Sequence, residues 1–318
     1  MKRARPIEIG LNAAIVAVAD RQPLILVVSG DALPFGPFDP LEHRTFETGL
    51  RAWVAEQTGL KLGYAEQLYT FGDRGRHAAP GDVGPHLVSV GYLALTRTDN
   101  QPSETLIRAG ASWRRWYEFF PWEDWREGRP AILDASLLPA LALWARSQPD
   151  GRSEAKPLGR RERVAIAFGE DGARWDEERA LDRYELLYDA GLVAEAARDG
   201  RRTPAQPVAA GAAMRFDHRR ILATSISRLR AKMKYRPVVF ELMADEFTLT
   251  ELQRTVEAVS GRDIHQQNFR RLVEAAALVE PTGATTQRGR GRPAALFRFR
   301  REILKERPAP GFRLGTRA

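Results

Sequence analysis

The sequence predicts an α+β chain: a mixed sheet with a helix set against it, followed by a winged helix-turn-helix. Three observations predict it. Short apolar strand patterns surround one helical pattern over the first hundred residues. Near the C-terminus a capped helix, a tight turn and a second helix with a polar face follow one another. Positive charge is concentrated in that same part of the chain. A length of 318 residues is long for one domain, and 43 % hydrophobic residues can build a sizeable core. The expected division is a first unit over 10–135, a helical insert and linker over 136–213, and a winged helix-turn-helix unit over 214–318.

Residues 13–19 and 24–28 are apolar runs separated by a turn at 20–23, which predicts a hairpin. Gly36, Pro37 and Pro40 mark a loop. Phe46, Leu50, Trp53, Val54 and Gln57 recur at helical spacing, and Gly59 ends that helix. Strands are expected at 67–71 and 87–96, with a Gly-rich loop between them. Residues 103–135 carry Trp113, Trp116, Tyr117, Phe119, Phe120, Trp122 and Trp125. Two readings stand for these rings: core packing, or a platform on which a ligand base stacks. Residues 147–172 read as loop, 175–197 as one long helix with Leu181, Tyr184, Leu187, Tyr188 and Leu192 on a broad face, and 199–211 as a linker.

Composition excludes several classes. Without cysteine there are no disulfides, cysteine zinc sites or thiol nucleophiles, which is compatible with a reducing cytosol; a cytoplasmic location is the expectation. The basic N-terminus is followed by Glu8, Asn12 and Asp20, which do not suit a signal peptide. No apolar run approaches the ~18 residues of a membrane helix, so no membrane partner is expected. Residues 215–318 hold 22 basic against 11 acidic residues, and the other 214 hold 27 against 30. The whole positive excess therefore lies in the last third. It suits a polyanion partner or a merely solvated basic face.

Three features decide between those readings. Thr248-Leu249-Thr250-Glu251 is a capping box opening a helix with Leu249, Leu252, Val256 and Val259 on one face, closed by Ser260-Gly261. A second helix follows, with Asp263 as its expected cap. Phe269, Leu272, Val273 and Ala276 point inward, while Gln266, Gln267, Asn268, Arg270 and Arg271 form the opposite face. Arginine can pair bidentately with guanine, and asparagine or glutamine with adenine. A hairpin then carries Arg288, Arg290 and Arg292 between glycines, where a loop can approach a phosphate backbone. Helix, polar helix and wing in this order point to double-stranded DNA. The preceding helix, about 218–234, carries Arg228, Arg230, Lys232 and Lys234 as phosphate contacts or a solvated face.

The N-terminal part resembles the Nudix hydrolases, whose signature is G-x5-E-x7-R-E-U-x-E-E-x-G-U, with U aliphatic. Residues 33–39, Leu-Pro-Phe-Gly-Pro-Phe-Asp, resemble the loop before that helix, and residues 52–60 align with its R-E-U-x-E-E-x-G-U part. The resemblance implies an α/β/α sandwich. In the family the glutamates hold divalent metal, which needs several oxygen ligands. Here Ala52 and Trp53 stand on the arginine and first glutamate, Gln57 on the last, and Phe38 and Arg44 on the upstream Gly and Glu; Glu56 alone remains. Slipping by one residue puts Arg51 on the arginine and Glu56 on the last glutamate, with Ala52 and Ala55 on the others. Neither alignment completes a metal site. No catalytic residue, metal or cofactor is therefore expected, and the fold is expected to persist as a binding pocket.

Both halves together resemble the Nudix-related transcriptional regulators of NAD metabolism, the NrtR family. The matching stretches begin with Glu66-Gln67-Leu68-Tyr69-Thr70-Phe71-Gly72-Asp73, Val88-Ser89-Val90-Gly91-Tyr92 and Phe216-Asp217-His218-Arg219-Arg220-Ile221-Leu222. They continue with Lys232-Met233-Lys234-Tyr235-Arg236-Pro237, 247–253, Asn268-Phe269-Arg270-Arg271 and Gly289-Arg290-Gly291-Arg292-Pro293-Ala294. Residues 101–213 exceed what the family pattern needs. The resemblance implies a homodimeric repressor of NAD biosynthesis or salvage genes on a palindromic operator. It also implies that ADP-ribose or a related nucleotide in the Nudix-like pocket releases DNA. Arg51, Glu56, Asp73, Arg74 and Arg76 are the candidate effector contacts, the arginines for a diphosphate and Glu56 for a ribose hydroxyl. The alternative is a Nudix hydrolase of nucleoside diphosphate-linked compounds with an accessory DNA-binding domain.

Overall fold

The computed structural model describes residues 6–73, 84–100, 103–147, 158–204, 208–286, 293–306 and 311. β1 (Ile7–Ala19) and β2 (Gln22–Val28) pair antiparallel. Asp20 and Arg21 between them take φ of 48° and 61°, the left-handed two-residue turn whose twist matches its strands. β3 (Phe35–Pro37) pairs antiparallel with β1, and β5 (His86–Leu95) pairs parallel with it. β4 (Tyr64–Phe71) flanks β5, and β6 (Ala111–Arg115) flanks β2. The order is β4-β5-β1-β2-β6, a mixed sheet as expected.

Period two divides this sheet between two layers. Leu11, Ala13, Ile15, Leu26 and Val90 pack with Leu50 and Val54 of α1 (Phe46–Thr58). Ala14, Val16, Ile25, Val27, Leu93 and Leu95 belong to the core on the other face. The result is the α/β/α sandwich. α1 opens on a capping box between Thr45 and Thr48 and ends on Gly59 at φ 72°, so its backbone groups are satisfied at both ends.

The middle of the chain supplies most of the second layer, and here several expectations change. α2 (Ser103–Arg108) leads into β6, which runs into α3 (Trp116–Phe119). Trp116, Phe119, Phe120 and Trp122 are fully buried, so they are core and present no stacking platform. A π turn over Leu133–Leu137 precedes α4 (Leu138–Arg146). Part of the stretch read as loop forms α5 (Arg160–Phe168), closed by Gly169 in the left-handed region. The long helix read over 175–197 is two: α6 (Ala180–Asp189) and α7 (Ala194–Arg198). Gly191 breaks it at φ 72°, where a Cβ would lie 2.2 Å from the carbonyl oxygen of Arg202. The stretch read as a linker also packs. Ala210 is buried, and its carbonyl accepts from buried Arg219.

α8 (His218–Met233) crosses to the C-terminal unit of α9 (Leu249–Ser260), α10 (Gln266–Ala276), β7 (Val279–Thr286), β8 (Ala294–Phe299) and the short α11 (Ile303–Glu306). The capping box is present: the Glu251 N–H donates to Thr248 Oγ1 at 3.1 Å, and the Thr248 N–H donates to Glu251 Oε2 at 2.8 Å. One buried cluster runs from Ala14 and Leu93 through Trp122, Leu187 and Ile226 to Leu252 and Phe269. The winged helix is thus continuous with the core beneath the sheet. Among the described residues no helix is long and apolar enough to cross a membrane.

Candidate nucleic-acid interface and nucleotide pocket

Amphipathicity orients the second helix of the pair. Phe269 and Val273 of α10 are buried, whereas Gln266, Gln267, Asn268, Arg270 and Arg271 are all exposed. Arg271 donates to Asn268 Oδ1 at 2.5 Å, which aligns two of these side chains one turn apart. Asp263 does not cap α10, whose cap position is His265 without a side-chain hydrogen bond. The turn is held from α9 instead. Gln253 donates to the Ile264 carbonyl at 2.7 Å, and buried Glu257 accepts the Ile264 N–H at 3.2 Å. Gly261 ends α9 at φ 70°, and a Cβ there would lie 2.4 Å from the Glu123 carbonyl oxygen. The wing arginines Arg288, Arg290 and Arg292 lie outside the described residues.

Sequence reasoning missed the base on which this pair sits. Glu123 is fully buried between two buried arginines. Arg183 of α6 donates Nε and Nη2 to its carboxylate at 2.6 and 2.9 Å, and Arg230 of α8 donates Nη1 at 2.5 Å. Arg183 Nη1 is satisfied by the carbonyls of Ala167 and Asp176, and Arg230 Nε by that of Val259 in α9 at 3.0 Å. Tyr117 donates to the Ala258 carbonyl at 2.8 Å, and the Trp125 N–H to that of Gly261 at 2.8 Å. A buried charge network is tolerable when every member is satisfied in this way. A second buried pair, Arg219 with Glu195 at 3.2 Å, fastens the start of α8 to α7. The readable signal was an arginine at i, i+3 or i+4 from buried apolar residues: Arg183 with Leu187, Arg230 with Ile226 and Met233.

Of the basic residues offered as phosphate contacts on this helix, Arg230 is therefore interior. Lys232 pairs with Glu66 of β4 and lies over the Tyr64 ring at 5.4 Å. Lys234 pairs with Glu178. Both ammonium groups already serve carboxylates of other units. Burial works against charge on Lys232 and on Glu66, yet the pairing prevails: the lysine is raised and the carboxyl lowered from their ordinary values.

The Nudix-like helix shows where its altered residues went. Trp53 donates Nε1 to the Pro37 carbonyl at 2.8 Å, and Gln57 both donates to the Phe35 carbonyl at 2.6 Å and accepts its N–H at 3.1 Å. Two side chains that the first alignment sets against signature glutamates thus hold β3 against α1. Gly36 permits it, since a Cβ there would lie 2.2 Å from the Trp53 ring. Gly36→Ala is expected to cost about 1–3 kcal/mol, read as a lower thermal midpoint; an unchanged midpoint would show that the ring is free to move.

Three of the effector candidates, Arg51, Glu56 and Asp73, are among the described residues, and Arg51 and Asp73 engage different partners. Arg51 pairs with Glu47 at 2.8 Å and donates to the Leu62 and Gly63 carbonyls, fastening the loop after α1. Glu56 is exposed on α1. Asp73 pairs with Arg220 of α8, which also holds Glu185 at 2.5 Å and Asp217 at 3.2 Å. Arg74 and Arg76 lie outside the described residues.

Residues 239–299 match the model of the NrtR DNA-binding winged helix domain. The C-terminal domain is therefore similar to the NrtR winged helix. A curated relative, the ADPR responsive transcriptional repressor NtrR of Acinetobacter baylyi, is 38 % identical over 84 residues, 26 % of this chain. The match spans about a third of that relative's length, 33 %. The solved structure of Shewanella oneidensis NrtR complexed with a 27mer DNA superposes with a TM-score of 0.55 at 21 % identity, covering 93 % of this chain and 95 % of that one. A second crystal structure of Shewanella oneidensis NrtR gives a TM-score of 0.54 at 20 % identity, covering 92 % of this chain and 94 % of that one. The whole chain is therefore NrtR-like in fold, a Nudix-like sandwich followed by a winged helix.

Proposed function

We propose that this chain is a DNA-binding transcriptional regulator, a repressor of genes for NAD biosynthesis or salvage, acting as a homodimer on a palindromic operator. One observation carries the reading: the NrtR-type winged helix presents five exposed polar side chains on α10 whose chemistry suits base edges. ADP-ribose or a related nucleotide, bound without turnover in the Nudix-like unit, releases the DNA. The A. baylyi relative, described as ADPR responsive, supports that part. Such an effector acts by binding the DNA-incompetent arrangement more tightly. Trp53 and Gln57, engaged with the β3 backbone, support a non-catalytic pocket.

The experiment is fluorescence anisotropy of the purified chain on a duplex from its own upstream region, at moderate salt, with and without ADP-ribose. Specific binding relieved by ADP-ribose is the expected result. Indifference to that duplex in both conditions would sink the reading. The same protein with Mg²⁺ and ADP-ribose is expected to show no turnover; hydrolysis abolished by Glu56→Gln would make it an enzyme with a DNA-binding appendage.

A further inference from the structure

A cavity of about 930 Å³ opens where the sheet unit meets the winged helix. Its lining joins Tyr64 of β4 and Arg97 after β5 to the chain that follows α8 and to the end of the wing. No lining residue comes from α1 or β3, where the Nudix-like motif lies. One part of the wall is aromatic. Phe240 stacks on Phe299 with centroids 4.5 Å apart and planes at 24°, and both rings, like that of Tyr64, are only half-buried.

The cations fall into two groups. Arg97, Lys232 and Arg298 already face Asp99, Glu66 and Glu280. Arg236 and Arg301 are exposed, and no carboxylate among the described residues pairs with either. Glu241 and Asp245, also exposed, add acceptor oxygens. Half-buried rings suit a base, two uncommitted guanidinium groups suit two phosphates, and carboxylates accept from ribose hydroxyls. The volume lies in the range of small-molecule sites, well beyond what inorganic phosphate fills.

The geometry points to a nucleoside diphosphate site here, separate from the Nudix-like motif. The ligand would touch Tyr64 and Arg97 on one side and Phe299 and Arg301 on the other. It would therefore bind best to one relative arrangement of the two units and shift the DNA-binding population toward it.

The test is calorimetric titration of the full chain with ADP, with pyrophosphate and with adenosine. The double variant Arg236→Ala, Arg301→Ala is expected to weaken ADP binding at least about tenfold without moving the thermal midpoint, since both side chains are exposed. Glu56→Gln is expected to leave ADP affinity unchanged, and each half-ligand to bind at least about tenfold more weakly than ADP. The site is overturned if wild-type protein does not bind ADP, or if the double variant binds it normally. It is also overturned if that variant loses duplex affinity while keeping ADP affinity, because the arginines would then serve DNA. ADP binding that depends on Arg236 and Arg301 would stand even if the chain ignored its own upstream DNA, so this inference and the operator reading fail separately.

Discussion

Glu123→Gln is expected to lower the thermal midpoint on the order of 10 °C, because it leaves Arg183 and Arg230 buried opposite a neutral amide. Removing one partner of a buried ion pair costs about 3–5 kcal/mol. In a chain of this size each kcal/mol moves the midpoint by roughly 2–4 °C. The loss arises because the two guanidinium groups stay charged in the interior, not because the original network is itself highly stabilising. Replacing all three residues together (Glu123→Leu, Arg183→Met, Arg230→Met) is therefore expected to recover much of the midpoint. A shift under about 2 °C in Glu123→Gln would show that solvent reaches the network. The effect should extend to DNA binding. The same arginine that meets Glu123 also holds the Val259 carbonyl at the end of α9, just before the turn into α10.

Acid tests the same network without a mutation. Burial by itself would raise the Glu123 carboxyl; Arg183 and Arg230 overrule it and hold the group below the ordinary glutamate value. Glu66, beside Lys232, is shifted the same way. A carboxyl with a folded value below its unfolded one contributes stability fully above the unfolded value, near about 4.3, and loses it as pH falls through the folded value. Thermal stability is expected to drop below about pH 4.3, with a shallower acid limb in Glu123→Gln. Parallel limbs in the two proteins would assign the acid loss to other groups.

Arg270→Ala is expected to weaken binding to the operator by about 5–150-fold, the 1–3 kcal/mol of a bidentate base contact. Binding to an unrelated duplex is expected to change far less, since only one of many charges is removed. Measuring both affinities at the same salt separates base readout from charge. Lys232→Ala is the contrast. Its ammonium group is engaged with Glu66, so both affinities are expected to fall alike and by less. Equal losses from the two substitutions would mean that α10 does not read bases.

Signals contained within a few residues determined the outline of this protein. The apolar runs over 13–19, 24–28 and 87–96 marked strands, and the structure buries side chains on both faces of them. The capping box at Thr248 and Glu251 and the left-handed Gly59 and Gly261 marked helix ends, because they satisfy backbone groups within four residues. The polar face of α10 was legible from its 3.6-residue period. The tertiary structure alone decided what those local signals cannot hold. Arg183 and Arg230 are interior because a carboxylate 60 and 107 residues away meets them there. Lys232 serves a strand 166 residues earlier. Between the two helices that replace the pattern over 175–197, the carbonyl oxygen of Arg202 lies where a Cβ on Gly191 would stand. In each case the deciding energy is a desolvated charge or a steric contact between distant segments, and neither depends on the identity of the sequence neighbours.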